Sequence, residues 1–386
     1  MNRIYFDYSA STPLDDSVLE RMLPYLRENF GNASSVHGAG REAHVAIDHA
    51  REQVAGVLNA SPAEIVFTSG GTEADNLAIF GIAENHVEPR HMITSAIEHP
   101  AVLNACKALE RKGWQITYVR PDESGIINAD KISQEIRPTT ALISIMHVNN
   151  EVGTINPIEE IAALAAERNI PFHTDAVQSF GKLPIDVQKI PVSLLSFSGH
   201  KIYGPKGSGG LFVRRGVKLM PILFGGHQER DRRAGTENTA AIAGLGYATE
   251  LAQEKMQHDA EHVGKLAEHF LKNLTGISRA MFLNGHVKDR LPGVLNISFA
   301  GKDSVALATR LDLVGIAVST GAACASGSVE PSRVLQAMGL PRERSTSALR
   351  ISFGRPTTVA EIDQALAVFK KILASPKMAE PPAAVA

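Results

Sequence analysis

The sequence contains little cysteine: only two residues of this type occur among 386, Cys106 and Cys324. They lie too far apart to form the short-spaced pair that is typical of a zinc site, so we predict no metal centre. Two cysteines also exclude the disulfide framework that stabilises small secreted proteins. The cysteine content is therefore typical of a reducing compartment, and the expected location is the cytoplasm.

The chain also lacks an excess of charge and any long apolar run. Its formal net charge is −2 at pH 7, which gives no support to a polyanionic partner such as nucleic acid. No apolar stretch approaches the roughly 20 residues that cross a bilayer. The first residues, MNRIYFDYSASTP, do not form the basic and apolar regions of a signal peptide. We therefore expect neither nucleic-acid binding nor membrane attachment.

The chain does have a repeated alternation of strand and helix patterns. Buried strands such as EIVFTS, MITSA and PFHTDAV alternate with helices such as IEEIAALAAERN. Such alternation predicts an α/β fold with a mainly parallel sheet covered by helices. Beyond about residue 250, the segments GVLNISF, IAVST and ALRISF predict a smaller α+β domain. We predict a large domain over residues 13–255, a small domain over 1–12 and 256–375, and a disordered tail rich in Pro and Ala over 376–386.

Lys201 lies where a predicted strand, LLSFS, gives way to a glycine-rich stretch. A lysine at a strand end can point into a cleft, and its amine forms a Schiff base with an aldehyde when it is held neutral. The alternative is a surface lysine in a glycine-rich hairpin, because most lysines are exposed. Lys201 alone does not decide between the two.

Two further features precede Lys201 and make a cofactor site the better interpretation. Asp175 ends the strand PFHTDAV, where a carboxylate can face the pyridine nitrogen of pyridoxal phosphate. Alternatively, Asp175 caps the N-terminus of a helix that begins at Ala176. Gly70 and Gly71 allow a tight turn before a helix that begins at Thr72, and such an N-terminus binds phosphate; the alternative is an ordinary turn. Because ligands gather at the carboxyl ends of strands in such sheets, the three features together predict pyridoxal phosphate.

The chain resembles the NifS/IscS-type cysteine desulfurases, which are fold-type-I pyridoxal-phosphate enzymes of aminotransferase class V. The resemblance runs from Tyr5 to about Asp363. It rests on these segments: FDYSASTP, FGNASSVHGAGREA, FTSGGTEADNLAI, EHPAVL, SIMHVNNEVG, HTDAVQSFGKLPID, SFSGHKIYGPKG, GGHQERDRRAGTEN, and SGSVEPSRVL shortly after Cys324. It implies an aspartate-aminotransferase-like fold, with a seven-stranded, mainly parallel sheet in the large domain.

The resemblance also implies a role for each residue of the site. Lys201 would bind the cofactor covalently, Asp175 would pair with the pyridine nitrogen, and Cys324 would be the nucleophile. His99 would stack on the ring and move protons, and Gln178 and Asn150 would bond the ring hydroxyl or the substrate. The phosphate would be held by Gly71, Thr72, Ser198 and His200, and Thr236 would reach the phosphate of the neighbouring subunit in a homodimer. Arg350 would clamp the substrate carboxylate.

Several of these residues have simpler explanations. His99 before Pro100 can end a strand or cap a helix, and Asn150 can be a turn residue. Arg350 can lie on the surface or in a structural ion pair. Cys106, on the helix NACKALE, fits a small core residue, because free cysteine is among the most buried residue types, and we assign it no function.

Cys324 differs from Cys106 in its surroundings. The segment STGAACASGSVEPS is small, polar and glycine-bearing, and has alanine at two positions where the family usually has hydroxyl residues. We predict that the thiolate at 324 takes sulfur from L-cysteine as a persulfide, leaves L-alanine, and passes the sulfur to an acceptor such as an iron–sulfur scaffold protein. The rival interpretations are another pyridoxal-phosphate enzyme, such as an aminotransferase or a selenocysteine lyase, and a non-catalytic scaffold.

Overall fold

A computed structural model describes residues 3–321 and 331–374. In these residues, the helices are α1 Asp16–Arg27, α2 Gly38–Leu58, α3 Gly71–Ala83, α4 Pro100–Arg111, α5 Ala129–Glu135, α6 Ile158–Glu167, α7 Thr239–Ile277, α8 Ser304–Leu313, α9 Arg333–Ala337, α10 Arg342–Thr346 and α11 Val359–Ala374. Short 3-10 turns cover Pro62–Glu64, Gly199–Lys201 and Gln228–Asp231.

The strands within the same residues are β1 Ile4–Tyr5, β2 Ile65–Thr68, β3 His91–Ser95, β4 Gln115–Val119, β5 Thr140–Ser144, β6 Phe172–Asp175, β7 Leu194–Ser198, β8 Gly209–Val213, β9 Met281–Asn284, β10 Val294–Phe299, β11 Ile316–Ala317, β12 Ser319–Thr320 and β13 Ala348–Ser352. They form three sheets of seven, four and two strands.

The largest sheet has the order β2-β8-β7-β6-β5-β3-β4. Strand β8 runs antiparallel to both of its neighbours, and the other pairs are parallel. Its central strands β3, β5, β6 and β7 are almost entirely buried, because helices cover both faces of a parallel sheet. The predicted α/β fold with a seven-stranded, mainly parallel sheet is confirmed.

The two smaller sheets consist of strands that follow residue 277, together with the N-terminal strand β1. Strands β12, β13, β10 and β9 pair antiparallel in that order, and β1 pairs with β11. The segment IAVST, predicted as one strand, is divided: β11 pairs with the N-terminal strand and β12 pairs with β13. The first strand of the chain therefore pairs with a strand of the second half of the molecule.

Helix α7 connects the two hydrophobic cores. Near its start Leu245 is buried in the core beneath the large sheet, and near its end Phe270 is buried in the core of the small sheet. The predicted boundary at residue 255 thus falls inside one continuous helix of 39 residues. The proposed domain limits, 13–255 for the large domain with 1–12 and 256–375 for the small one, stay a prediction.

The length of α7 does not make it a membrane span. Charged side chains such as Glu254, Lys255 and Lys265 occur along it. Among residues 3–321 and 331–374, no helix combines the length and apolarity that crossing a bilayer requires.

Truncation of Phe270 should destabilise the fold strongly. Its ring is 0% exposed and packs edge-to-face on Phe6, Phe353 and Phe369. We expect Phe270→Ala to lower the free energy of unfolding by about 3–5 kcal/mol through lost burial and a residual cavity, measured by urea denaturation. Leu313→Ala is the control, because that side chain is 80% exposed. Equal effects of the two changes would contradict the packing described.

Candidate active site

One cavity of about 370 Å³ lies at the carboxyl ends of β6 and β7, between the large sheet and β13. Its volume is within the range of small-molecule sites. Ten of the residues singled out from the sequence line it: Gly71, Thr72, His99, Asn150, Asp175, Gln178, Ser198, His200, Lys201 and Arg350. The structure therefore brings together residues that are dispersed over 280 positions of the sequence.

Lys201 enters this cavity from the 3-10 turn that follows β7. Its Nζ donates hydrogen bonds to the carbonyl oxygens of Ser9 (2.6 Å) and Ala10 (2.8 Å). Burial lowers the pKa of Lys201 to about 8, and the positive charge of Arg350 acts in the same direction. A far larger fraction of this amine is therefore in the neutral form, which attacks a carbonyl group, than in an ordinary lysine. Because Lys201 is buried in the cavity, the surface-hairpin interpretation is wrong.

Asp175 ends β6 and is 5% exposed. Its Oδ1 accepts a hydrogen bond from the N–H of Val177 at 2.9 Å. Residues 176–182 form turns rather than a helix, so Asp175 caps a turn and not the helix considered from the sequence. Burial raises the pKa of Asp175, while His99 and Lys201 oppose that rise.

Asp75 is a member of the site that the sequence reasoning missed. It lies on α3, four residues after Gly71, and that spacing returns to the same face of a helix. The ligand atoms of Asp75, His99 and Asp175 all lie within 4.8 Å of one another. Burial, with Asp175 next, raises the pKa of Asp75 well above its ordinary value, because two neighbouring buried carboxyl groups do not both ionise.

His99 occupies the position just before α4, where its Nδ1 accepts a hydrogen bond from the N–H of Ala101 at 3.2 Å. The capping role considered for it from the sequence is therefore present, and it coexists with a place in the cavity. Burial lowers the pKa of His99, and Lys201 and Arg333 lower it further, against the opposing effect of Asp175. The imidazole is neutral near pH 7 and can take up a proton.

The N-terminus of α3 forms the part of the cavity that suits an anion. The helix begins at Gly71, one residue earlier than predicted, after Gly70 with a φ of 148°. A Cβ added to Gly71 would come within 2.5 Å of Val177 Cγ2, so only glycine fits there without a shift. Ser198 and His200 line the same end of the cavity, and the free N–H groups of a helix start bind phosphate.

Arg350 projects from β13 into the cavity and is held by two partners. Its Nη2 pairs with Asp7 Oδ1 at 2.7 Å, and its Nη1 donates to the carbonyl oxygen of Asn150 at 2.8 Å. Its buried Nε has no hydrogen-bond partner within the described ranges. The structural ion pair considered from the sequence therefore exists, and the Nε–H group of the guanidinium is left unpaired among the described residues.

The cavity does not account for two further predicted site residues, of which one lies in another pocket and the other is not described. Thr236 lies beside Ser69, Glu229 and Arg233 in a separate pocket. Cys324 lies outside the described residues. Cys106 is 0% exposed, and burial raises the pKa of its thiol, which agrees with the core role predicted for it.

The cavity fits pyridoxal phosphate in both charge and hydrogen bonding. The amine of Lys201, with its lowered pKa, can react with the aldehyde, and a buried carboxyl group can pair with the pyridine nitrogen. The N–H groups at the start of a helix can bind the phosphate. Gln178 donates from Nε2 to the carbonyl oxygen of Ser9 at 2.8 Å, whereas its Oε1 is buried without a partner among the described residues. Such an unpaired acceptor is costly unless a ligand pairs with it.

Comparison with known proteins agrees with this fit. The family described as aminotransferase class-V matches residues 4–365. A cysteine desulfurase IscS from Dictyoglomus turgidum is 46% identical over 371 residues, which cover 96% of this chain and 94% of that protein. The chain therefore belongs to the class-V aminotransferases, a family of pyridoxal-phosphate enzymes, and within it to the cysteine desulfurases of the IscS and NifS type.

Solved structures show the same likeness. A NifS-like protein superposes with a TM-score of 0.91 at 39% identity, over 96% of this chain and 99% of that chain. A structure of SspA in complex with cysteine has a TM-score of 0.81 at 41% identity, over 92% of this chain and 100% of that chain. The likeness therefore extends over nearly the whole chain and not over the residues of the large sheet alone.

The reactivity of Lys201 should follow its lowered pKa. The amine becomes neutral as the pH rises through about 8, whereas ordinary lysines remain protonated to about pH 10. We expect labelling of Lys201 by pyridoxal phosphate in cofactor-free enzyme, trapped with borohydride and located by mass spectrometry, to rise about tenfold from pH 7 to 9 and then level off. Surface lysines in the same digests serve as the control. Labelling of Lys201 that kept rising to pH 10 would contradict the assignment.

Substitution of Gly71 should weaken cofactor binding. In Gly71→Ala the new methyl group would overlap Val177 and displace the start of α3. We expect at least about tenfold weaker binding of pyridoxal phosphate, followed by absorbance titration, because the phosphate-binding N–H groups move. Gly56→Ala is the matched control, since a Cβ there meets open space on a helix. Unchanged affinity in Gly71→Ala would show that this helix start does not hold the cofactor.

Proposed function

We propose that Lys201, Asp175 and Cys324 carry the cysteine desulfurase reaction of this chain, which converts L-cysteine to L-alanine. The proposal rests on one observation above all: the amine of Lys201 and the carboxyl group of Asp175 share one buried cavity with a helix N-terminus. Pyridoxal phosphate, when bound, supplies an aldehyde that captures amines and a ring that accepts an electron pair.

The residues of the cavity divide into those that hold the cofactor and those that act on the substrate. Lys201 would hold the aldehyde carbon of the cofactor, and its free amine would move a proton. Asp175 would pair with the pyridine nitrogen and keep it protonated. The residues proposed to orient the ring and hold its phosphate are His99, Asn150, Gln178, Gly71, Thr72, Ser198 and His200.

Arg350 is proposed to bind the carboxylate of the substrate. Its planar guanidinium already uses Nη1 and Nη2 for Asn150 and Asp7, and Nε is left for a further acceptor. Asp7 keeps the cation compensated before substrate arrives, since an unpaired buried charge is costly. The carboxylate of cysteine replaces or joins Asp7 at this position, which orients the substrate sulfur.

The sulfur-transfer step is assigned to Cys324. Its thiolate attacks the sulfur atom of bound cysteine, a new S–S bond forms, and the C–S bond of the substrate breaks. The electron pair of that bond remains with the carbon skeleton, which takes a proton at Cβ and leaves as alanine. Burial and Lys201 lower the pKa of His99, so the imidazole is neutral near pH 7 and is available to accept a proton and return it in this sequence.

A homodimer and a sulfur acceptor complete the proposal. Thr236 lies away from the cavity of its own chain, which supports its contact with the phosphate bound by a neighbouring subunit. The rings of Phe30 and Phe224 are 82% and 87% exposed, as expected of a surface that a partner covers. The persulfide on Cys324 then passes, in the cytoplasm, to an acceptor protein such as an iron–sulfur scaffold. The complex of SspA with cysteine supports cysteine as the substrate.

Removal of Cys324 tests the proposal directly. We expect Cys324→Ala to lower alanine production from cysteine at least about 100-fold, because no thiolate is present to take the sulfur. In wild-type enzyme, mass spectrometry should find one added sulfur atom on Cys324 for each alanine released in a single turnover. Cys106→Ala is the control and should retain activity, since Cys106 is a core residue. A Cys324→Ala variant with full alanine production would favour a selenocysteine lyase or another enzyme of this fold.

A further inference from the structure

Both ends of the segment that carries Cys324 meet the same side chain. Ser332, just after this segment, donates a hydrogen bond from Oγ to Glu151 Oε2 at 2.6 Å. Gly321, just before it, lies so close that a Cβ added there would overlap the same Oε2 atom and come within 3.3 Å of Ser332 Cβ. The carboxyl group of Glu151 therefore bonds the chain just after residues 322–330 and lies close to the backbone just before them.

Each end is also anchored to the rest of the fold. On one side, Ser319 of β12 pairs with Arg350 of β13. On the other side, Ser332 caps α9 by accepting from the N–H of Leu335 at 3.2 Å, and Arg333 donates to the carbonyl oxygen of Glu98 at 2.9 Å. The anchors lead to Arg350, which lines the active site, and to Glu98, which directly precedes the cavity residue His99.

The backbone of Glu151 is held just as firmly. Its N–H donates to Asn149 Oδ1 at 2.9 Å, and its carbonyl oxygen accepts from Asn296 Nδ2 at 3.1 Å. The preceding residue, Asn150, lines the cavity and bonds Arg350 through its carbonyl oxygen. Glu151 thus connects the wall of the active site to the segment that bears the nucleophile.

We propose that Glu151 is a positioning residue for the sulfur-transfer step, and that its carboxyl oxygen holds the two ends of the Cys324 segment together beside the active site. The proposal rests on the function assigned to Cys324 above. Misplacement of a reacting group by about 1 Å can slow a reaction about 100-fold.

Two substitutions separate this role from a role in proton transfer. Glu151→Gln keeps the length of the side chain and an oxygen that accepts from Ser332, but removes the charge and the acidic proton. Glu151→Asp keeps the charge and shortens the side chain by one methylene group, so that it no longer spans Gly321 and Ser332. Glu268→Ala, an exposed acidic residue on α7, is the control for a change of charge alone.

The rate of sulfur addition to Cys324 is measured by mass spectrometry in a single turnover of holoenzyme. We expect Glu151→Asp to slow it at least about tenfold, and Glu151→Gln and Glu268→Ala to stay within about threefold of wild type. Binding of cysteine, followed by the change in cofactor absorbance, should stay within about twofold of wild type in all three variants. Equal loss in Glu151→Gln and Glu151→Asp would overturn the proposal in favour of proton transfer, and so would a normal rate in Glu151→Asp.

Hydrogen exchange in enzyme without cysteine gives a readout independent of turnover. We expect faster exchange in peptides that include residues 319–321 and 331–336 in Glu151→Asp but not in Glu151→Gln, because the former loses the hydrogen bond to Ser332. Unchanged exchange in Glu151→Asp would overturn the positioning role. If wild-type Cys324 gains no sulfur, the function proposed for Cys324 fails, whereas the exchange data still decide whether Glu151 anchors the segment.

Discussion

The active site depends on the N-terminal segment of residues 7–12, which lies between the seven-stranded sheet and the four-stranded sheet and bonds to residues on both sides. The carbonyl oxygen of Ser9 accepts from Lys201 and from Gln178, both on the large-sheet side. Asp7 pairs with Arg350 and adjoins Ser352, both on β13 of the small sheet. Each buried cation of the cavity thus has oxygen partners from this one segment, and a buried charge without such partners would be strongly destabilising.

Burial shifts the ionisation of the cavity residues in opposite directions. It lowers the pKa of the Lys201 amine and of the His99 imidazole, and it raises the pKa of the Asp75 and Asp175 carboxyl groups. All four groups are therefore nearer to their neutral forms than they would be in water. A protonated pyridine ring bound in this cavity would favour the ionised form of the carboxyl group beside it. The aldehyde of the same cofactor would meet a nucleophilic amine, and pyridoxal-phosphate chemistry uses both groups.

Local pattern predicted most elements of the large sheet because a strand or a helix is encoded by the spacing of its own apolar residues. It failed where a contact from elsewhere decided the outcome. IAVST is divided because its two halves pair with different strands, and residues after Asp175 form turns instead of the considered helix. Asp75 was missed although its spacing from Gly71 places it on the same helical face, because a buried carboxyl group on a helix has no distinctive sequence signal.

The sequence by itself determined the alternation of strands and helices, and it placed Lys201, Asp175 and the glycines before α3 at strand ends, where parallel sheets collect ligands. Motif resemblance added the identity of the family and the assignment of Cys324. Only the tertiary structure decided that Asp7 partners Arg350 and that Glu151 bonds Ser332 close to the backbone of Gly321. These contacts join segments that are distant in the sequence, and they form because the two hydrophobic cores pack along α7. The spacing of apolar residues within one helix or strand does not predict such packing.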